Sequence, residues 1–280
     1  MKVHAIRTGS VRIKTAQIEG RGHGVFDILV DRNWSDWLPT FAWAIEHDEG
    51  VIVVDTGQAS HLLGGYGRSL HPFFRWEVRF QIEHEEEIGP QLRSLGIGSR
   101  DVRRVVMTHL HMDHDAGLAY FPHSEILVAP GELHQASGIS GKLRGYLPQY
   151  WPEGFNPTRL VLDGGSFGPF GASKRLTKEG NVIAVATPGH TPNHISVLVE
   201  DGDATIFLAG DTSYNEALML AGKVDGVGSN TAVSAATLAA IKRFAAKQPT
   251  IYLPTHDPES ATRLVSRRLV PGTDSNMRTI

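Results

Sequence analysis

Thr108-His109-Leu110-His111-Met112-Asp113-His114 follows directly on the apolar stretch 103–107. Imidazole and carboxylate are the ligands of zinc and related divalent metals when no thiolate is present. His109 and His111 stand two residues apart, so on an extended segment their side chains point the same way. Asp113 and His114 then fall on the turn that follows, where they can face a second metal. The plainer reading is a His-rich surface turn; three His and one Asp at these offsets are rare enough by chance to disfavour it.

Working outward, three more segments end in the same way. Thr187-Pro188-Gly189-His190-Thr191-Pro192 sets a His on a Pro/Gly turn after an expected strand at 182–186. Ala209-Gly210-Asp211-Thr212 sets an Asp after an apolar strand at 205–209, and Leu253-Pro254-Thr255-His256-Asp257 sets a His after one at 250–253. Singly, each reads as a hydrogen-bonded structural residue. Together with the first motif they place five His and two Asp just past the carboxyl ends of strands, where layered α/β proteins bind ligands. Seven such ligands, with Asp211 bridging, would hold two metals ~3.5–4 Å apart.

The chain has 280 residues, 27 Lys+Arg, 30 Asp+Glu, 30 Gly, 15 Pro and no Cys; the 14 His are its one unusual count. Its length allows one large domain or two small ones. With 41% hydrophobic and 20% charged residues it falls among ordinary soluble globular proteins. A net charge of -3 leaves no general basic footprint for nucleic acid. The missing Cys removes disulfides, thiolate metal sites and cysteine nucleophiles together, and fits a reducing compartment. No apolar run approaches the ~18 residues of a membrane helix, and residues 1–7 lack the apolar core of a signal peptide. The expectation is one soluble, cytoplasmic domain over 1–280, with no nucleic-acid or membrane partner and a polar tail at about 270–280.

Short β-rich runs are expected at 41–47, 51–55, 103–108, 126–128, 182–186, 196–200, 205–209 and 250–253. Several are continuously apolar, as strands buried on both faces should be. Helical spacing is clearest at 231–247, with Val233, Ala236, Ala240, Ile241 and Phe244 on one face and Pro249 as the stop. A second helix is expected at 85–95, with Glu85-Glu86-Glu87 at its positive end. Strands interleaved with helices mean an α/β layered fold. The endings Asp55-Thr56-Gly57 and Gly210-Asp211-Thr212 echo one another, which suggests two halves packed face to face.

His109-x-His111-x-Asp113-His114, followed by His190, Asp211 and His256, resembles the metal-binding pattern of the metallo-β-lactamase superfamily. The resemblance runs from Asp55-Thr56-Gly57 to His256, in matching order. It implies an αββα sandwich of two mixed β-sheets with helices on both outer faces and a dimetal site at one edge. Gly189-His190-Thr191-Pro192-Asn193-His194 and Asp211-Thr212-Ser213-Tyr214 look most like the N-acyl-homoserine lactonase group, where the Tyr three residues past the bridging Asp faces the substrate. Asp115-Ala116-Gly117 and Asn193 depart from that group and bear on loop geometry, hence on substrate. Relatives with a Cys ligand, a glutathione-binding extension or a flavin domain do not match.

Several residues stay outside the expected ligand set. His194 lies four residues after His190 and is read as a supporting or structural group, as are His123 and His134 as ordinary surface or core histidines. Asp55 is expected to orient motif histidines or loop amides. The aromatic segments 34–43, 70–80 (Leu70, Phe73, Phe74, Trp76, Phe80) and 143–151 read as satellite core under loops, as a greasy wall beside the metals, or as a homodimer contact.

The resemblance implies that His109, His111 and His190 hold one Zn or other divalent transition-metal ion, that Asp113, His114 and His256 hold a second, and that Asp211 bridges them. A hydroxide between the ions would attack a lactone carbonyl, Tyr214 would help stabilise the oxyanion, and Asp113 would relay the proton. The expected substrate is a small lactone or ester, N-acyl-homoserine lactone first. An aryl esterase, a phosphotriesterase or another small-lactone hydrolase on the same dimetal core is the alternative, and a non-catalytic metal-binding scaffold is the alternative of another class.

Overall fold

Two β-sheets make up the centre of the protein, whose computed structural model describes residues 1–63, 76–143, 146–228 and 230–272. The first sheet contains β1 (Lys2–Ile13), β2 (Leu38–Glu46), β3 (Val51–Val54), β4 (Val78–Gln81), β5 (Val102–Val106), β6 (Glu125–Val128) and β7 (Thr158–Arg159), in the order β4-β1-β2-β3-β5-β6-β7. The second contains β8 (Ser173–Arg175), β9 (Val182–Ala186), β10 (Ile195–Asp201), β11 (Ala204–Gly210) and β12 (Thr250–Pro254), in the order β12-β11-β10-β9-β8. Both sheets are mixed: β3, β5, β6 and β7 run parallel, as do β11 and β12, while the other pairs are antiparallel.

Strand alternation explains why two layers form. On β2, Phe41, Trp43 and Ile45 point between the sheets, while Ala42 and Ala44 point outward. Val182 and Ala184 of β9, Val197 and Val199 of β10, Ile206 and Leu208 of β11, and Ile251 and Leu253 of β12 meet them from the second sheet. The outward set of the first sheet is covered by Ile88 and Leu92 of helix Ile88–Ser94 and by Ala136 of helix Pro130–Ala136. Ile183, Leu198, Phe207 and Tyr252 of the second sheet are covered by Leu238, Ile241 and Phe244 of helix Thr231–Ala245. Apolar faces on both sides of each sheet leave no low-energy alternative to an αββα sandwich. The two echoing halves are thus the two sheets.

The structure shifts several sequence expectations. β1, 12 residues long, was not expected; its run buries Thr8 and Ser10 among apolar neighbours, which hides the period-2 signal. The helix expected at 85–95 is broken into a 3-10 turn at His84–Glu86 and the helix Ile88–Ser94. Pro90 causes this, because in a continuous helix its ring would clash with the Glu86 carbonyl. On helix Thr231–Ala245, Ala240, Ile241 and Phe244 are buried as expected, while Val233 and Ala236 are exposed and Ser234, Thr237 and Leu238 complete the buried stripe. The reason is the site loop: Thr237 donates to the Pro188 carbonyl, and a Cβ on Gly189 would lie 2.8 Å from Ser234 Oγ. Val270, placed in the expected tail, is buried and donates its N–H to the Thr250 carbonyl at 2.8 Å.

Two backbone bonds tie the sheets together at one edge. Ile195 N–H donates to the Thr108 carbonyl at 3.0 Å, and Phe41 N–H donates to the Thr255 carbonyl at 3.0 Å. The parallel strands β3 and β5 end there in Asp55 and Thr108, and β11 and β12 end there in Asp211 and His256.

Candidate metal centre

All seven expected ligand residues meet at this edge. His109, His111 and His190 form one group; His109, His114 and Asp211 a second; Asp113, His114 and His256 a third. Within each group the donor atoms all lie within 4.8 Å of one another. His111 Nδ1 is 3.0 Å from both His109 Nε2 and His190 Nε2. Asp211 reaches across the set: Oδ1 is 3.3 Å from His114 Nε2, and Oδ2 is 3.4 Å from both His190 Nε2 and His256 Nε2. Asp113 Oδ2 is 3.4 Å from His256 Nε2. His109, His114, His190, His256 and Asp211 are buried, while His111 and Asp113 form the more accessible side.

Each buried imidazole is oriented by its other nitrogen. His114 Nδ1 donates to Asp55 Oδ2 at 2.8 Å, His190 Nδ1 to Asp225 Oδ2 at 2.9 Å, and His256 Nδ1 to the Pro39 carbonyl at 2.9 Å. The Thr108 hydroxyl donates to Asp55 Oδ2 at 2.7 Å, so it accepts from His109 Nδ1 at 3.0 Å. In all four rings Nδ1–H is spent, and Nε2 is the atom left to take a proton or a metal. These lone pairs converge. His114 Nε2 and Asp211 Oδ1 make no hydrogen bond with any described group, and a buried polar atom left so costs about 1–3 kcal/mol. Bonds of ~2.0–2.1 Å at tetrahedral angles hold donor atoms roughly 3.3 Å apart, close to the spacings seen here. The residues fit divalent metal.

The electrostatics agree with that fit. Burial works against the charged form of His256, but Asp211 and Asp113 outweigh it and push the ring up to about 10. His114 and His190 are raised against the same burial, His114 chiefly by Asp211 and Asp55, His190 chiefly by Asp225. The carboxylates thus create a demand for positive charge at these Nε2 atoms. Burial, with His190 beside it, lowers His111 to about 3, leaving a neutral donor ring.

The residues set aside in the sequence fall outside the cluster of donors. His194 Nε2 accepts from Asp211 N–H at 3.1 Å, and its Nδ1 donates to Thr187 Oγ1 at 2.9 Å, so both nitrogens are used. Burial, with His190 beside it, lowers this ring to about 3. Gly210 lets it approach: φ is +58°, and a Cβ there would lie 2.5 Å from His194 Nε2. His123 and His134 are exposed. Asp55 accepts from Thr108 N–H at 2.7 Å as well as from the Thr108 hydroxyl and His114, and holds a left-handed φ of 57° to do so.

Tyr214 is buried and stacks on His256 with ring centroids 5.5 Å apart. Burial, with the nearby Asp211, raises its phenol well above the usual value, so it keeps its proton. In the segment 143–151, Tyr146 lies 5.1 Å from the His111 ring and Trp151 Nε1 donates to Asp115 at 2.7 Å. Burial pushes Asp115 up to about 8. Trp43 is in the core, Trp34 carries Lys14 over its face, and Trp76 is exposed; Leu70, Phe73 and Phe74 lie outside the described residues.

Three contributors carried no sequence signal for this role. Asp225 reads as part of an Asp-Gly turn, yet it orients His190. Glu132 is buried and ties two loops together, accepting from Leu110 N–H at 3.2 Å, Tyr146 OH at 3.0 Å and Thr191 Oγ1 at 2.8 Å. Gln17 donates from Nε2 to the Tyr214 hydroxyl at 3.1 Å.

Comparison with known proteins agrees with this architecture. The family model described as the metallo-beta-lactamase superfamily matches residues 35–256. A protein of Mycobacterium tuberculosis named a probable metallo-hydrolase is 32% identical over 191 residues, 65% of this chain and 57% of that protein, so the match spans little more than half of that relative. An N-acyl homoserine lactonase of a Bacillus species is 25% identical over 224 residues, 79% of this chain and 82% of that one. The solved structure of an N-acyl homoserine lactone hydrolase with N-hexanoyl-L-homoserine at its catalytic metal center shares the fold. It aligns with a TM-score of 0.76 at 21% identity, over 93% of this chain and 95% of that one. With the family model spanning the edge-bound His/Asp cluster and both sheets, the chain belongs to the metallo-beta-lactamase superfamily.

Proposed function

We propose that this chain, as a single domain, is a metal-dependent hydrolase that opens a lactone ring, N-acyl-homoserine lactone first among them. His109, His111 and His190 would hold one divalent transition-metal ion, zinc foremost, and Asp113, His114 and His256 a second, with Asp211 between them. The observation that carries the reading is the convergence of four Nε2 atoms whose Nδ1–H groups are already spent on Thr108, Asp55, Asp225 and Pro39. Two such ions, when bound, supply a nucleophilic water of near-neutral pKa and a Lewis acid for the carbonyl oxygen.

The chain's own groups would do the rest. Tyr214, protonated and stacked on His256, donates a hydrogen bond to the carbonyl oxygen as negative charge develops there. Asp113, the accessible carboxylate 3.4 Å from His256, relays a proton to the leaving alkoxide. His194 and Glu132 hold the ligand loops in place. The relatives named N-acyl homoserine lactonase support the lactone choice.

One preparation assayed side by side on acyl-homoserine lactones, simple lactones, aryl esters and organophosphates tests the reading. Highest kcat/KM on acyl-homoserine lactones is expected. Preference for aryl esters or organophosphates would reassign the substrate, and metal-loaded protein inert to every compound would indicate a scaffold.

A further inference from the structure

Gln17 lies on the short helix Thr15–Ile18, outside the span 35–256 matched by the family model. The helix nonetheless contacts two groups that support the His/Asp cluster. Its Gln17 carbonyl accepts the Gly226 N–H at 2.9 Å, beside the turn whose Asp225 orients His190. A side chain at Gly226 is excluded, because a Cβ there would lie 2.2 Å from the Ala16 carbonyl oxygen. On the other side, Gln17 Nε2 donates to the hydroxyl of Tyr214, whose ring stacks on His256.

A phenol oxygen carries one proton and accepts hydrogen bonds on its lone pairs. With Nε2–H donated into that oxygen, the Tyr214 proton is turned away from Gln17. No described group accepts it. We propose that Gln17 is a positioning residue that holds the Tyr214 hydroxyl as an acceptor, so that its proton is directed to the substrate carbonyl oxygen. The inference rests on the role given to Tyr214 above.

Stability does not explain this side chain. Gln17 is 9% exposed, and its Oε1 is buried without a hydrogen-bond partner among the described residues. Leaving such an atom unpaired destabilises the fold, and an apolar residue of the same length would avoid the cost. A polar group kept against its own stability is characteristic of a functional position.

The test is a double-mutant cycle on the metal-loaded enzyme, using Gln17→Met, Tyr214→Phe and the double variant. Gln17→Leu is carried in parallel in case Met perturbs folding. Gln17→Met is expected to lower kcat about tenfold, the rate equivalent of one ordinary hydrogen bond. Metal content should equal the parent's, and the thermal midpoint should be equal or higher. In the Tyr214→Phe background the same substitution should change kcat little, because there is no proton left to direct. If Tyr214→Phe slows the enzyme while Gln17→Met and Gln17→Leu run at the parent rate, or slow it by the same factor in both backgrounds, the positioning role is wrong and the Tyr214 role stands. If Tyr214→Phe itself runs at the parent rate, both roles fall.

Discussion

Asp225 Oδ2 lies 2.9 Å from His190 Nδ1, while its Oδ1 accepts the backbone N–H groups of Val227 at 2.9 Å and Gly228 at 2.7 Å. The carboxylate is fixed by its own turn before it reaches the imidazole, so it sets both the ring's orientation and its tautomer. Loss of such a partner typically weakens metal binding about 10–100-fold. Asp225→Asn should show that loss, because an amide N–H aimed at Nδ1 moves the ring proton to Nε2, the wrong atom. Chelator competition on parent and variant measures it. Equal metal retention would mean that packing alone orients His190.

Tyr214→Phe keeps the ring on His256 and removes the hydroxyl, which also takes from Gln17 Nε2 its acceptor. Loss of one oxyanion donor costs about 2.7–4 kcal/mol in strong cases, and a metal beside the same oxygen reduces it. A smaller but measurable fall in kcat is expected, with metal content unchanged and the thermal midpoint lowered modestly by the unpaired Gln17 amide. Parent-level kcat on lactones would reduce Tyr214 to packing and leave only an unspecified dimetal hydrolase.

Much of this site was legible in the sequence because its chemistry restricts residue type. Without Cys the candidate ligands reduce to imidazole and carboxylate, and strand ends mark where they gather. Asp55 and His194 were legible as supporting groups, but Asp225, Glu132 and Gln17 were not, since their partners are chosen by approach in space. His256 is oriented by a backbone carbonyl 217 positions away, and Gln17 meets Tyr214 across 197 positions. The two layers followed from the apolar strands, but β1 was hidden by buried Thr8 and Ser10, and Pro90 broke a helix that periodicity alone would continue. Val233 and Ala236 of helix Thr231–Ala245 were misplaced for a related reason: the helix buries Ser234 and Thr237 against the His190 turn instead.

Glu87 gives the fold an acid-sensitive point away from the metals. Burial raises its carboxyl, but hydrogen bonds from the Ser60 hydroxyl and N–H and from Tyr120 OH outweigh this and bring it down to about 2, from 4.5. A carboxylate with a lowered folded pKa contributes stability that is present above about 4.5 and is lost as pH falls toward 2. The advantage of the parent over Glu87→Gln in thermal midpoint should therefore be full near pH 6 and shrink through pH 4 to 3. A constant difference over that range would show that Glu87 does not titrate in this way.

Asp211 lies between the donor groups, with an oxygen within 3.4 Å of the His114, His190 and His256 Nε2 atoms. Asp211→Ala should lose both ions or leave one weakly held, with the fold retained because the His194 contact uses the backbone N–H of residue 211. Elemental analysis together with far-UV circular dichroism reads both quantities. Full metal occupancy in the variant would remove Asp211 from the ligand set.

On the proposed function, the His/Asp cluster holds two ions and hydrolysis depends on them. Exhaustive chelation followed by stepwise return of zinc, with lactone hydrolysis and bound metal measured on the same sample, tests it most directly. Activity should vanish in the stripped protein and return in proportion to occupancy, saturating near two ions per chain. Full lactone hydrolysis by metal-free protein, or saturation without any activity, would contradict it.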